Sequence, residues 1–100
     1  KAEALYYDAY FKNKEGKYEA SNTVVEKIAT DYSGYKFFGA KALIIMAKNY
    51  FSLNDSFQAT EILQSVIDNF TEYADVVTEA QTELDLIKTE EAKRNSSITN

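Results

Sequence analysis

The sequence predicts an all-α protein of five helices arranged as helical hairpins, and three observations carry that expectation. Apolar residues recur at helical spacing along most of the chain, as in Ala20, Val24, Ile28 and Val76, Ala80, Leu84, Ile87. No Pro occurs, and the three Gly (Gly16, Gly34, Gly39) fall between or at the edges of the periodic stretches. The chain also matches itself when laid on its own second half.

The five expected segments are Ala2–Asn13, Lys17–Tyr32, Phe37–Leu53, Ser56–Phe70 and Ala74–Ala92. Their lengths are ordinary for globular helices. In the first, Ala4-Leu5 and Ala9 lead into the charged run Lys12–Lys17, which Gly16 interrupts to make a tight turn. The second carries Val24 and Ile28, and the link after it, Ser33–Gly39, is aromatic and glycine-containing. The third holds the longest strongly apolar stretch, Ala42 to Ala47, far short of the roughly 20 residues that span a bilayer. Asp55 followed by Gln58 is a capping-box signature that opens the fourth. The fifth has Val76, Val77, Ala80, Leu84 and Ile87 on one side and Glu79, Gln81, Glu83, Asp85, Lys88, Glu90 and Glu91 on the others. No partner helix follows it, so it reads as a C-terminal cap, with a frayed tail over 93–100.

Length and composition narrow the function. One hundred residues make a single domain, and 45% hydrophobic with 14% aromatic residues excludes disorder. With no Cys and no His, thiolate and imidazole chemistry, most zinc or haem ligation and any disulfide framework are removed. The net charge of −5 opposes nucleic-acid phosphate and anionic lipid. The expectation is therefore no nucleic acid, no membrane insertion and no cofactor. Lys1 rather than Met opens the sequence, within a pattern already under way, which suggests a segment of a longer protein.

In the self-comparison, Ala4-Leu5 and Ala9 match Ala42-Leu43 and Ala47 at an offset of 38, whereas Gly16, Tyr18 and Ala20 match Asp55, Phe57 and Ala59 at 39. One residue is thus expected to be inserted in the second copy. Repeat 1 spans about 2–32 and repeat 2 about 37–70, within a domain over 1–92.

On these residues the sequence resembles the tetratricopeptide repeat family. The matching positions are Leu43, Met46, Ala47, Tyr50, Phe57, Ala59, Leu63 and Ile67, while in the first copy Asp8 and Lys12 depart from the pattern. More narrowly, Ala4-Leu5-Tyr6-Tyr7 followed by Lys14-Glu15-Gly16-Lys17-Tyr18 looks like the repeats of bacterial envelope coordinator proteins. The resemblance implies a right-handed superhelical stack of helical hairpins, an α-solenoid, that acts as a non-catalytic scaffold for a protein or peptide partner. It also implies an envelope location.

Candidate sites follow. The stripe Lys41, Ile44, Lys48, Phe51 and Ser52 mixes two cations with two large apolar groups, and the resemblance places it on the concave face that receives peptides. The other reading is that Ile44 and Phe51 pack on Ala74–Ala92 while the lysines stay solvated. Tyr6, Tyr7, Tyr10 and Phe11 form either an aromatic contact surface or packing against a neighbouring repeat, and Tyr32, Tyr35, Phe37 and Phe38 anchor the link. The carboxylate pairs Glu90-Glu91 and Asp68 with Glu72 lack loop ligand spacing and read as solvated helix faces. No Gly-flanked nucleophile or phosphate loop accompanies them, so no enzyme is expected.

Overall fold

The computed structural model describes the backbone of residues 1–99 and the side chains of residues 1–95. Among the described residues there are five helices and no strand: α1 (Ala2–Lys14), α2 (Tyr18–Asp31), α3 (Lys36–Ser52), α4 (Ser56–Asn69) and α5 (Ala74–Thr99). The all-α expectation holds. Boundaries shift by a residue at several ends, and α5 runs through Thr99, past the end expected at Ala92. Apolar periodicity ends near Ile87, but Glu90–Lys93 and Glu91–Arg94 pairs and the good helix formers among residues 88–94 carry the helix on, with Arg94 set over the Phe51 ring.

Helix α3 is central and packs against all four others, while α1–α2 and α4–α5 pair beside it. Helices α1, α3 and α5 form one layer, and α2 and α4 lie across it, each spanning two helices of that layer without touching one another. Two apolar clusters result. One joins Tyr6 and Ala9 to Val25, Ile28, Ala42, Ile45 and Met46, and the other joins Ala40, Ile44 and Ala47 to Leu63, Val66, Val76, Ala80, Leu84 and Ile87. Opposite faces of α3 therefore serve different neighbours, which is why so much of it is apolar.

The two hairpins repeat bond for bond at 38 residues, which corrects the expected one-residue insertion. Gly16 and Asn54 both adopt left-handed backbone, at φ 78° and 66°. The same helix-terminating bonds surround them: Lys17 N donates to Lys12 O at 2.8 Å, and Asp55 N to Tyr50 O at 2.8 Å. At the far ends, Tyr32 N donates to Ile28 O at 3.0 Å and Phe70 N to Val66 O at 3.1 Å. The partner of Gly16 is thus Asn54, the other residue type that tolerates this conformation. The buried partner of Ala59 is Ser21, and Ala20 is exposed. Phe57, counted above among the matching positions, lies 74% exposed on α4.

Asp55 caps α4 as expected, accepting from Gln58 N at 3.0 Å. The reciprocal arm differs. Asp55 N is already bonded to Tyr50 O, so the Gln58 amide donates to the Asp55 carboxylate at 3.3 Å.

Candidate functional site

Within the layer of α1, α3 and α5, the stripe expected on α3 is divided by its neighbours. Ile44 is 1% exposed and belongs to the core, so it is not a surface contact. Phe51 is half-buried against Leu84, Ile87 and their cluster, and the Arg94 guanidinium lies 5.4 Å from its ring centre. Lys48 reaches Glu83 of α5 at 3.6 Å. Ser52 is exposed at the last turn of α3. The physical reason is that positions 44 and 51 share the face of α3 against which the apolar stripe of α5 packs. Of the two readings weighed for this stripe, the packing of Ile44 and Phe51 on α5 is the one the structure shows, and Lys48 is paired with Glu83 at its edge.

Lys41 remains apart from this contact. Its ammonium stands 5.5 Å from the Tyr6 ring and 5.7 Å from the Phe37 ring, and among the described residues no carboxylate lies within ion-pair distance. The attraction is that of a cation for the negative ring face. The aromatic frame extends from Lys41 in both directions: Tyr6 tilts on Phe38 at 5.9 Å, and Phe37 meets Tyr73 edge-on at 5.6 Å. Three elements hold it: Tyr6 on α1, Phe37, Phe38 and Lys41 on α3, and Tyr73 at the entry to α5. The Tyr6 phenol is pushed above the ordinary tyrosine range, chiefly by burial and then by the charge of Glu79, with small contributions from Tyr7 and Tyr10. It is a neutral group at physiological pH.

The other expected aromatic residues separate by role. Tyr6 is buried and Tyr10 half-buried against the α1–α2–α3 cluster, whereas Tyr7 and Phe11 are exposed. Of the link residues, Tyr32 and Phe38 pack on that cluster, while Tyr35 and Phe37 project outward.

Two features had no forecast. A cleft of about 330 Å³ opens between the ends of α2 and α4, with Val25, Ile28, Leu43 and Phe70 among its walls and Lys36 at its rim. It exists because α2 and α4 rest on α3 without meeting. The second feature is a buried polar network that ties α1, α2 and α3. Asn49 donates to Ser21 Oγ and Asn22 Oδ1, each at 2.8 Å, and accepts from Asn13 Nδ2 at 2.8 Å. Ser21 in turn donates to the Ala9 carbonyl at 2.7 Å. A single Asn within the apolar run of α3 was the available signal. Among the described residues no buried side-chain polar atom is left without a partner.

Among the described residues, no group of three or more acidic side chains has the arrangement to hold a metal ion, and no helix is long and apolar enough to cross a membrane. Comparison with family models, curated proteins and solved structures yields no match.

Proposed function

We propose that the chain is a non-catalytic module that binds polypeptide, built as a tetratricopeptide-like right-handed stack of two helical hairpins closed by α5. The register of 38 residues supports the stacked-hairpin reading, since equivalent turns recur with equivalent hydrogen bonds. The observation that carries the binding reading is Lys41: a cation with no carboxylate of the described residues in ion-pair distance, framed by Tyr6 and Phe37 on the surface shared by α1, α3 and α5. An acidic segment or a C-terminal carboxylate with one hydrophobic side chain complements it, the carboxylate at Lys41 and the side chain against exposed Phe37. The acidic balance of the whole chain disfavours nucleic acid and anionic lipid as partners. The resemblance to envelope coordinators suggests an envelope partner.

The test is fluorescence anisotropy with a labelled peptide bearing two acidic residues and one leucine, at low and high salt. Lys41→Glu is expected to slow association and abolish its salt dependence, and Phe37→Ala to speed dissociation. Lys48 is left intact, because its contact with Glu83 would confuse loss of binding with loosening of α5. Equal binding by wild type and Lys41→Glu refutes the site.

One observation favours a purely structural or self-associating module instead: α5 covers Ile44 and Phe51 and engages Lys48, occupying much of the face assigned to a ligand. On that reading, partners captured by the wild type and by Lys41→Glu are the same.

A further inference from the structure

The cleft between the ends of α2 and α4 takes no part in the Lys41 surface, which lies on the α1 and α5 side of α3. Its walls come from both hairpins. Tyr32 ends α2 and Phe70, its counterpart at 38 residues, ends α4, and each ring packs on a different apolar cluster of the core. Between them the cleft reaches down to Val25, Ile28 and Leu43. Because both rings are anchored and α2 and α4 do not meet, the opening is preformed.

Gly39, which also lines the cleft, is the informative residue. It sits inside α3 without positive φ, and a Cβ there would meet no atom within 4 Å. Neither backbone nor neighbours therefore call for glycine, and Ala is the better helix former. What glycine does is leave the cleft its width. At the equivalent places of α5 stand Val77 for Gly39 and Ala74 for Lys36. The open floor and the cation at the rim thus belong to this cleft and are not general features of the repeat.

Charge and volume select the occupant. Lys36 is the one charged residue lining the cleft; it is exposed, and among the described residues no carboxylate lies within ion-pair distance of it. The amide nitrogen of Asn69, also at the rim, is already committed to Ser65 O and Oγ at 3.0 and 3.2 Å. A ligand meets apolar walls that end at a cation. The volume of about 330 Å³ equals about eleven waters at ~30 Å³ each, room for about ten non-hydrogen atoms. We propose that the cleft binds a small amphiphilic monocarboxylate with a hydrocarbon body of about eight carbons, its carboxylate at Lys36 and its hydrocarbon against Ile28, Leu43 and Phe70. The site is independent of peptide binding at Lys41, so either can fail alone.

Methyl NMR of the full chain titrated with sodium octanoate tests this. Saturable shifts are expected at Val25, Ile28 and Leu43 but not at Leu84 or Ile87, with a Kd on the order of 0.1–1 mM for a ligand of this size. Octylammonium, equal in length and opposite in charge, should bind about tenfold more weakly. Lys36→Gln should weaken octanoate about threefold to fivefold and leave 1-octanol unchanged, whereas Lys88→Gln, at an exposed lysine of α5, should alter neither. Gly39→Leu, which fills the floor, should abolish the shifts while circular dichroism shows the helices intact. Should that variant not fold, Gly39→Ala is expected to weaken octanoate at least about twofold. The proposal is overturned by no saturable shift up to about 10 mM octanoate, by equal affinity for octylammonium, or by unchanged octanoate binding in Lys36→Gln or in a folded Gly39 variant. Shifts produced only by a leucine-bearing acidic peptide, and not by octanoate, assign the cleft to a polypeptide and overturn it as well.

Discussion

Asn49 is where the polar core can be weighed against the apolar one. It is fully buried, makes three side-chain hydrogen bonds of 2.8 Å, and thereby joins α3 to Asn13 of α1 and to Ser21 and Asn22 of α2. Replacing it with Ala removes all three. At a net of about 1 kcal/mol each, the loss is about 3 kcal/mol, and leaving Ser21 and Asn22 less well satisfied pushes the cost upward. The register supplies the control: the counterparts of Ser21 and Asn49 are Ala59 and Ile87, so the same geometry is packed without polar groups elsewhere in the chain. The double variant Ser21→Ala with Asn49→Ile should therefore cost less than the sum of its singles by about 1–2 kcal/mol, because Ser21 and Asn49 no longer orphan one another, while Asn13 and Asn22 lose the same partner in the Asn49→Ile single and in the double. Urea melts followed by circular dichroism measure Asn49→Ala, the singles Ser21→Ala and Asn49→Ile, and the double. Additive losses, or a cost of Asn49→Ala below about 0.5 kcal/mol, would refute the idea that this network is a cooperative unit of the core.

Four further outcomes are expected. Leu84→Asp should destabilise the fold by about 3 kcal/mol or more in denaturant melts, since it places a charge in the apolar contact of α5 with α3 and α4. Gly39→Ala should raise the melting temperature, by roughly the 0.5–1 kcal/mol helix advantage of Ala, because a Cβ there meets nothing; Gly16→Ala should lower it, because φ is +78°. Glu83→Gln should cost no more than about 1 kcal/mol, and less at high salt, since its 3.6 Å contact with Lys48 is partly exposed. For pH, the Tyr6 phenol is held above its ordinary pKa by burial first and Glu79 second, so the unfolded chain ionises before the folded one. Stability is then full below about pH 10 and falls as pH rises through the alkaline range, a decline that Tyr6→Phe should lessen in melts across that range.

The fold class was legible because periodicity and turn chemistry agree along the chain. Val76, Ala80, Leu84 and Ile87 could be picked out by spacing alone and are all buried. The repeat register was legible only in part. Matching Tyr18 to Phe57 and Ala20 to Ala59 favours 39, because residue identity suggests aromatic opposite aromatic and Ala opposite Ala. Backbone conformation requires 38, because Gly16 must fall opposite another residue in left-handed backbone, and that residue is Asn54. A polar Ser21 standing where the other copy has Ala59 hid the correspondence. For the candidate site, Lys41 was placed on a surface that sequence could anticipate, but not Tyr6 beside it, since that contact joins residues 35 positions apart on different helices.

The stripe Lys41–Ser52 shows why helical spacing does not by itself identify a surface. Spacing says that Ile44, Lys48 and Phe51 share a side of α3, but a helix flanked by neighbours on several sides has no single outside. What decides exposure is the partner, and α5 brings Val76, Ala80, Leu84 and Ile87 against Ile44 while Glu83 meets Lys48 at its margin. Arg94 then completes the cover one level further, standing over Phe51 from a part of α5 that lies past Ile87, the last buried apolar residue among the described ones. The helix extension that periodicity could not forecast is thus the same element that closes the lower half of the stripe. Lys41, nearer the start of α3, and Ser52 at its last turn escape this cover, and beside Lys41 stand the Tyr6 and Phe37 rings. On this stripe, packing leaves its two ends, Lys41 and Ser52, accessible and closes the middle.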